Sequence, residues 1–248
     1  MRRLLHGEGR AHHAHGRNRG AATQPERRDQ GGCPMTKSDI GDDGRTAAVL
    51  ARLATEALPG GEVCDLIVDG PYAGLRWMRD GQAGLTLLRI ANGLRVQSWT
   101  AVREEGSGQW PGRPVANDLV ALAASRAISD ASATRATMDR YLQIRADQSR
   151  AEELRPMFAD PMVVHGPGPT RTSGIDAFIA RVRDEPRETP GVRTRWHHIA
   201  VAGDRAFVRW TYFDGPDLIQ AGHTLYALRD GVIVERWQAA LPGREGWF

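Results

Sequence analysis

The sequence has few cysteines, few aromatic residues and no long apolar run. Its two cysteines, Cys33 and Cys64, are too few for a disulfide framework or a cysteine metal cage, so we expect a reducing, cytoplasmic compartment. No apolar run approaches the ~18 to 20 residues that a membrane helix needs, so we expect no membrane partner. The 248 residues suffice for one or two ordinary domains with a core.

The positive charge is confined to one end of the chain. Residues 1–34 carry seven arginines against three acidic residues, a net charge of +4, so the rest of the chain carries −1 of the total +3. This distribution argues against nucleic acid as a partner. Residues 1–34 also hold four histidines among glycines, without apolar periodicity, which predicts a disordered Arg/His/Gly tail. A metal-binding or RNA-binding arm is the less favoured interpretation.

Behind the tail, helical and alternating patterns predict an α+β protein. Helical spacing of apolar residues predicts helices over 43–58, 118–127, 132–144, 150–158 and 175–182. Strands are predicted over 63–68, 73–78, 85–90, 94–102 and 161–165, and from near Val192, Arg205, Leu218 and Val232 onward. The polar segments 104–114 and 166–173 are predicted to be a linker and a loop.

A strand, turn and strand unit occurs twice in the sequence. Residues 68–77 align with 201–210 without a gap and share Val, Gly, Ala, Arg and Trp. After a shorter hairpin in the first copy, residues 83–87 align with 221–225, and Trp99 aligns with Trp237. Generic β-patterning is the alternative explanation. The first copy lacks most of the preceding helices, so we interpret it as a shortened scaffold that could stack sheet to sheet on the second.

Several motifs of the second half resemble those of the nuclear transport factor 2-like superfamily. They are Tyr141, the segment from Phe158 to Gly168 that contains Asp160-Pro161 and His165, Gly174 to Ile179, and Leu225 to Gln238 with its Glu235-Arg236-Trp237. The most similar branches are the SnoaL-like polyketide cyclases, the ketosteroid isomerases and the limonene epoxide hydrolases.

This resemblance implies a curved, antiparallel-rich sheet packed on helices, which forms a cone around an apolar pocket. The implied domain is complete over residues 132–248 and shortened over 36–103, with 104–131 as a linker and helix. Many members of the family pair through the sheet, so a homodimer through that face is one expected arrangement.

The resemblance also shows that the usual catalytic carboxylates are replaced. The oxyanion-holding tyrosine of the isomerases corresponds to Tyr141. Their base position carries Gly166, the aspartate of their oxyanion hole corresponds to Thr224, and the acid of the last SnoaL-like strand corresponds to Gln238. None of these replacements accepts a proton near neutral pH, so isomerase or epoxide-hydrolase chemistry by the usual route is not expected.

Strand alternation predicts which side chains face the pocket. They are Phe207, Arg209, Thr211 and Phe213 on one strand, Thr224 and Tyr226 on the next, and Arg236 and Gln238 on the last. Arg209 also matches the arginine of the epoxide hydrolases' Arg-x-Asp pair. An arginine at an apolar cavity needs a partner, such as a ligand carboxylate, phosphate or enolate. The alternative is that Arg209 pairs with Asp160, with Glu235 or with the sheet partner.

His165 is the histidine with the strongest case for moving a proton. It adjoins the vacant base position, and the glycines after it could bend it inward. Regular alternation instead points it away from the cavity. No spacing of histidines and acids fits a metal site, and no P-loop, dinucleotide fingerprint or nucleophile elbow is present in the sequence. We therefore expect neither a metal nor a cofactor.

The remaining histidines and several tryptophans are predicted to be packing residues. His198 is predicted to share a face with Trp196, and His197 is not. His223 replaces Leu85 of the first copy, which favours a contact with the second sheet or with a dimer partner. Tryptophans at equivalent positions of the repeat favour packing across the sheet. These are Trp77, Trp99, Trp210 and Trp237.

Two classes of function remain open. The first is a small-molecule enzyme resembling the SnoaL-like polyketide cyclases, which cyclises, isomerises or dehydrates an apolar metabolite in natural-product biosynthesis. In it, Tyr141 and Arg209 would stabilise an oxyanion and His165 would move a proton. The second is a binding protein that holds an apolar metabolite with an acidic or carbonyl group. We favour the enzyme, because a shaped pocket with a few donors can direct a reactive polyene or polyketide.

Overall fold

The structure is a computed structural model that describes residues 60–92, 94–103, 110, 119–127, 129–166, 170–188 and 190–242, together with residues 49, 52, 53 and 56. The predicted tail over 1–34 lies outside the described residues. Most of the predicted helix over 43–58 and of the linker over 104–114 also lies outside them.

The first sheet is an antiparallel meander of four strands. They are β1 (Glu62–Asp69), β2 (Tyr72–Arg79), β3 (Gln82–Ala91) and β4 (Leu94–Val102), in that order across the sheet. Asp80 and Asn92 take positive φ angles of 49° and 53° in the turns before β3 and β4. Aspartate and asparagine tolerate this conformation, so the turns form where the sequence predicts them. The four predicted strands are confirmed.

The second sheet has six strands. They are β5 (Phe158–His165), β6 (Arg171–Ser173), β7 (Val192–Ala202), β8 (Arg205–Asp214), β9 (Asp217–Arg229) and β10 (Val232–Pro242), in the order β6-β5-β10-β9-β8-β7. Only the β5–β10 pair is parallel among these strands. The prediction of a loop over 166–173 is wrong for β6, because Arg171 to Ser173 pair with β5.

Four helices are described. They are α1 (Leu119–Ala127), α2 (Ser132–Ala146), a 3₁₀ helix (Gln148–Met157) and α3 (Ile175–Glu188). Thr134, Met138, Tyr141 and Arg145 of α2 are buried, and their spacing of three to four residues places them on one helix face. Asp160 accepts a hydrogen bond from the backbone N–H of Ile175 at the start of α3, at 3.3 Å. Both helices therefore present a defined face to the second sheet.

The described elements form successive layers with separate cores. Leu119, Leu122 and Ala123 of α1 pack on one face of the first sheet. The other face of that sheet packs on the outer face of the second sheet, where small residues such as Ala200, Ala221 and Ala239 are buried. The inner face of the second sheet packs on α2, the 3₁₀ helix and α3. A homodimer through the outer face of the second sheet would therefore compete with the chain's own first sheet.

The two sheets meet through reciprocal arginine contacts. The Cζ atom of Arg76 on β2 lies 4.6 Å from the ring centroid of Trp237 on β10. The Cζ atom of Arg209 on β8 lies 4.4 Å from the ring centroid of Trp99 on β4. Arg76 aligns with Arg209 in the sequence repeat, and Trp99 aligns with Trp237. Each sheet thus supplies one cation and one indole to the interface.

Residues that align in the repeat take matching registers in the two sheets. Each of two tryptophans lies across from a glycine: Trp77 from Gly84, and Trp210 from Gly222. The indole Nε1 of each donates to a threonine two residues beyond that glycine. These bonds measure 2.9 Å for Trp77 to Thr86 and 3.0 Å for Trp210 to Thr224. The small glycine leaves room for the indole, which fixes the same local packing in both sheets.

Candidate functional site

A cavity of about 230 Å³ lies between the inner face of the second sheet and helices α2 and α3. This is somewhat below the range of about 300–1,000 Å³ typical of pockets for drug-sized ligands. Most of the lining side chains are aromatic or charged. The lining consists of Tyr141, Arg145, Phe178, Arg181, Val182, Glu185, Trp196, Trp210, Tyr212, Thr224, Tyr226, Arg236 and Gln238.

Two buried tyrosines meet at the cavity wall. The Tyr226 hydroxyl donates a hydrogen bond to the Tyr141 hydroxyl at 3.4 Å. Burial, and then the neighbouring Tyr141, raise the pKa of Tyr226 well above its usual value, so Tyr226 stays protonated and remains a donor. Because the Tyr141 hydroxyl accepts in this bond, its O–H group can donate a hydrogen bond to an acceptor in the cavity.

One carboxylate lines the cavity, and it is ion-paired. Arg145 Nη1 lies 2.7 Å from Glu185 Oε2, and Gln148 Nε2 donates to the same oxygen at 3.3 Å. Burial alone would lower the pKa of Arg145, but Tyr141 and Glu185 outweigh it, so the pKa lies above its usual value. The Arg145–Glu185 pair therefore contributes no net charge to the cavity.

Two further arginines line the cavity beside Phe178. Arg236 is only 8% exposed, and its Nε has no hydrogen-bond partner among the described residues. Arg181 lines the cavity but is exposed, so it lies where the cavity meets solvent. Burial, then Arg236 and Arg171, lower the pKa of Arg181. This end of the cavity is electropositive.

Five of the predicted site residues come together at this cavity. They are Tyr141, Thr224, Tyr226, Arg236 and Gln238. In the β9–β10 ladder Thr224 pairs with Gln238 and Tyr226 pairs with Arg236, and cross-strand partners share a face. The expected pocket side of β9 and β10 therefore agrees with the structure.

The predicted pocket side of β8 is wrong. Thr224 pairs with Val208, so the cavity face of β8 carries Trp210 and Tyr212. Arg209 lies on the opposite face, where it is 2% exposed and contacts Trp99 of the first sheet. Burial lowers the pKa of Arg209 to about 10. Of the alternatives for Arg209, the sheet-partner contact is the one that the structure shows.

The other three residues of that predicted face also lie outside the cavity lining. Phe207 packs between the sheets, against Gly74. Thr211 is buried, and its Oγ1 lies 2.7 Å from His197 Nε2. Phe213 contacts Arg195, whose Cζ lies 4.8 Å from its ring centroid. Successive side chains of a strand point to opposite faces of the sheet. A face assignment shifted by one residue therefore placed all four side chains on the wrong face.

His165 does not line the cavity. Its Nε2 donates to Glu235 Oε1 at 2.5 Å, its Nδ1 lies 2.8 Å from Thr170 Oγ1, and its ring stacks on Trp237 at 5.2 Å. Trp237 belongs to the core between the sheets, so His165 points away from the cavity, as regular alternation predicts. Glu235 is thereby engaged with His165, and among the described residues no ion pair joins Glu235 to Arg209.

A bulge in β7 changes the expected orientation of two histidines. The β7–β8 register shifts between Trp196 and His198, so Trp196 pairs with Trp210 while His198 pairs with Arg209. The prediction that His198 shares a face with Trp196 is therefore wrong. His223 donates through Nε2 to the Trp99 carbonyl at 3.0 Å, which confirms its predicted contact with the other sheet.

Sequence reasoning missed eight lining residues. They are Arg145, Phe178, Arg181, Val182, Glu185, Trp196, Trp210 and Tyr212. Helical spacing could have found most of them, since Arg145 lies one turn after Tyr141 and Val182 and Glu185 lie one and two turns after Phe178. Trp196 lies before the β7 bulge, which leaves no mark in the sequence pattern.

Within the described residues, no group of three or more histidine, cysteine, aspartate or glutamate side chains is arranged to hold a metal ion. No helix in the described part of the chain is long and apolar enough to cross a membrane.

Comparisons with known proteins place a family match on the half of the chain that holds the cavity. The model of the SnoaL-like domain matches residues 138–236. No curated protein matches the chain.

Three solved structures are among the similar chains. An NTF2-like protein of unknown function from Mesorhizobium loti is 24% identical, with a TM-score of 0.39, over 45% of this chain and 93% of that one. A "putative ketosteroid isomerase" from Kribbella flavida is 19% identical, with a TM-score of 0.40, over 48% and 85%. A "putative polyketide cyclase" from Streptomyces antibioticus is 18% identical, with a TM-score of 0.36, over 44% and 91%.

The matched range contains every residue of the cavity lining except Gln238. Residues 138–236 are therefore similar to the SnoaL-like domain, and the cavity lies in this part of the chain.

Proposed function

We propose that the cavity binds a small apolar molecule with a carbonyl or acidic group and stabilises an oxyanion that develops on it. The reaction class is a cyclisation, isomerisation or dehydration in natural-product biosynthesis, as the SnoaL-like resemblance implies. The observation that carries this proposal is the Tyr141 hydroxyl at the cavity wall, with Tyr226 donating to it. A donor supported in this way stabilises negative charge in a site with little water.

The roles in this proposal differ from those expected from the sequence. Tyr141 keeps its role as oxyanion donor. Arg209 and His165 lose theirs, because neither lines the cavity. Glu185 is the carboxylate among the lining residues and becomes the candidate proton acceptor, held in place by Arg145 and Gln148. The aromatic lining supplies an apolar surface for the body of the ligand.

The test uses 4-nitrophenol as an oxyanion probe. Wild-type protein should bind it with the phenolate favoured, which lowers the apparent pKa of the bound phenol in a titration followed by visible absorbance. Tyr141→Phe removes the donor and should raise that apparent pKa by about one unit, which corresponds to ~1.4 kcal/mol.

Tyr72→Phe is the matched control, because Tyr72 contacts His198 and does not line the cavity. It should behave as the wild type does. Equal apparent pKa values for wild type, Tyr141→Phe and Tyr72→Phe would show that Tyr141 does not stabilise an oxyanion.

A second candidate function is binding without catalysis, and the Arg145–Glu185 ion pair favours it. One oxygen of the Glu185 carboxylate already accepts hydrogen bonds from Arg145 and Gln148, and both of these partners belong to the protein. Native mass spectrometry of protein purified from its own host separates the two functions. A co-purified ligand that leaves unchanged supports binding alone, and a ligand that leaves with an altered mass or connectivity supports catalysis.

We also infer that the first sheet is a shortened copy of the second and serves as a scaffold for it. The matched registers, the two tryptophan-to-threonine hydrogen bonds and the reciprocal arginine contacts support this inference. The first copy has Ser98 where the second has Arg236, and Thr100 where it has Gln238, so it lacks the polar groups of the cavity.

A further inference from the structure

Two arginine side chains meet at one phenyl ring beside the cavity. The Cζ atom of Arg181 lies 5.2 Å from the ring centroid of Phe178, and that of Arg236 lies 5.5 Å from the same centroid. Both distances are within the range of a cation–π contact. Phe178 and Arg181 come from α3 and Arg236 comes from β10, so the group joins the helix layer to the sheet.

No ion pair joins either arginine to an acidic side chain among the residues that the structure describes. The ion pairs of that part of the chain include Arg145 with Glu185, but none involving Arg181 or Arg236. The lining as a whole contains three arginines and one glutamate. A buried cation without an anionic partner is costly, and Arg236 is more than nine-tenths buried.

We propose that Arg236 and Arg181 form the anchor for a carboxylate group on the molecule that occupies the cavity. Arg236 binds the carboxylate from inside and Arg181 binds it from the solvent side, while Phe178 packs against the apolar carbon next to it. The planar guanidinium suits a carboxylate because two parallel N–H groups match its two oxygens. This inference rests on the proposed function of the cavity and names the class of ligand as an aromatic or polyene acid.

The lowered pKa of Arg181 agrees with this assignment. Burial is its largest cause, and the positive charges of Arg236 and Arg171 follow. A bound anion would remove part of this repulsion, so the two arginines bind it better together than either would alone.

The test compares benzoate with benzamide, which has the same shape and no charge, by ligand-observed NMR titration of the full chain. Wild-type protein should bind benzoate at least about tenfold more tightly than benzamide, a ratio that should shrink as salt concentration rises. Arg236→Met and Arg181→Met should each bring the ratio of benzoate to benzamide affinity toward one.

Arg183→Met is the matched control. Arg183 lies on the same helix two residues after Arg181, is 57% exposed, pairs with Glu152 and Asp184, and does not line the cavity. It should keep the wild-type ratio. Because Arg236→Met could fail to fold, circular dichroism accompanies each titration. Arg181 is exposed, so Arg181→Met measures the change in the benzoate to benzamide ratio independently of Arg236→Met.

The outcomes distinguish this inference from the proposed function. Equal binding of benzoate and benzamide by wild-type protein would overturn the anchor and leave the cavity as a site for neutral ligands. Loss of preference in Arg183→Met would also overturn it. Displacement of benzoate by inorganic phosphate at similar concentration would overturn the carboxylate assignment, because it would mean that the two arginines bind a phosphate group. Binding of neither benzoate nor benzamide would overturn the proposed function together with the anchor.

Discussion

His223 is a buried histidine between the two sheets, at the position that aligns with Leu85 of the first sheet. Burial, partly offset by its hydrogen bond to the Trp99 carbonyl, lowers its pKa to about 3. His197 and His198 also have lowered pKa values, about 4 for His197, and burial is the largest cause for both. All three are therefore neutral in the folded protein at pH values where the unfolded chain already binds protons.

We predict an acid-side loss of stability that depends on His223. The unfolded imidazole binds a proton below about pH 6.5, whereas the folded one does so only near pH 3. Between these values the unfolded state holds more protons, so the free energy of unfolding falls as pH falls, by about 1.4 kcal/mol per pH unit for each such group. Thermal melts between pH 7.5 and 4.5 measure this slope.

His223→Leu introduces the residue found at the aligned position of the first sheet. It should lower the number of protons taken up on unfolding by about one, so the free energy of unfolding should fall less steeply at acid pH. At neutral pH it should cost about 1 kcal/mol, because the bond to the Trp99 carbonyl is lost. Parallel melting curves for wild type and His223→Leu across this pH range would contradict the prediction.

At the scale of the elements, the sequence predicted most of the described strands and helices, with β6 as an exception, but not all of their faces. Turn residues such as Asp80, Asn92 and Asp230 mark strand ends directly, since each takes a positive φ angle. The face of a strand depends on register, and one residue of error reverses it. Arg209 and Thr224 could not both face the cavity, because Thr224 pairs with Val208, which points opposite to Arg209.

The site was predictable on β9 and β10, where alternation continues without interruption. It was not predictable on β7, because the bulge between Trp196 and His198 depends on how β8 packs beside it. Only one of the two arginines of the proposed anchor was predicted from the sequence. Arg236 came from alternation along β10, whereas Arg181 and Phe178 lie on a helix whose apolar face was expected only to fill the core.

Gly222 gives a test of the packing that β9 provides for the cavity. A Cβ atom there would clash with the Trp210 ring and would lie 2.5 Å from the Ala239 carbonyl oxygen. Gly222→Ala should therefore lower the free energy of unfolding by about 1–3 kcal/mol, as overpacking does in other cores. It should also weaken binding of benzamide, because a displaced Trp210 changes the cavity wall.

The control for this change is Gly166→Ala, since a Cβ atom at Gly166 has no heavy atom within 4 Å. Chemical denaturation measures the free energy of unfolding of both variants. Equal stability of Gly222→Ala and Gly166→Ala would mean that the Trp210 indole moves aside without cost.

At the scale of the whole molecule, the two sheets form an interface within one chain. Arg76 and Trp99 of the first sheet contact Trp237 and Arg209 of the second in a reciprocal way, which is the pattern of a two-fold interface between subunits. The outer face of the second sheet is covered by apolar residues of the first. A second copy of the chain could reach this face only by displacing the first sheet.

We therefore predict that the protein is a monomer in solution. Sedimentation equilibrium at micromolar concentration should give a single species near the chain mass of 27.2 kDa. Displacing the first sheet would expose the apolar core that the two sheets share, including Leu85, Phe207 and Leu225, and each such side chain is worth about 1.5–3 kcal/mol when buried. A species of twice the chain mass would mean that a different surface forms a dimer or that first sheets exchange between two chains. Hydrogen exchange separates these cases, because exchange of sheets keeps β2 and β8 protected, whereas a new interface adds protection elsewhere.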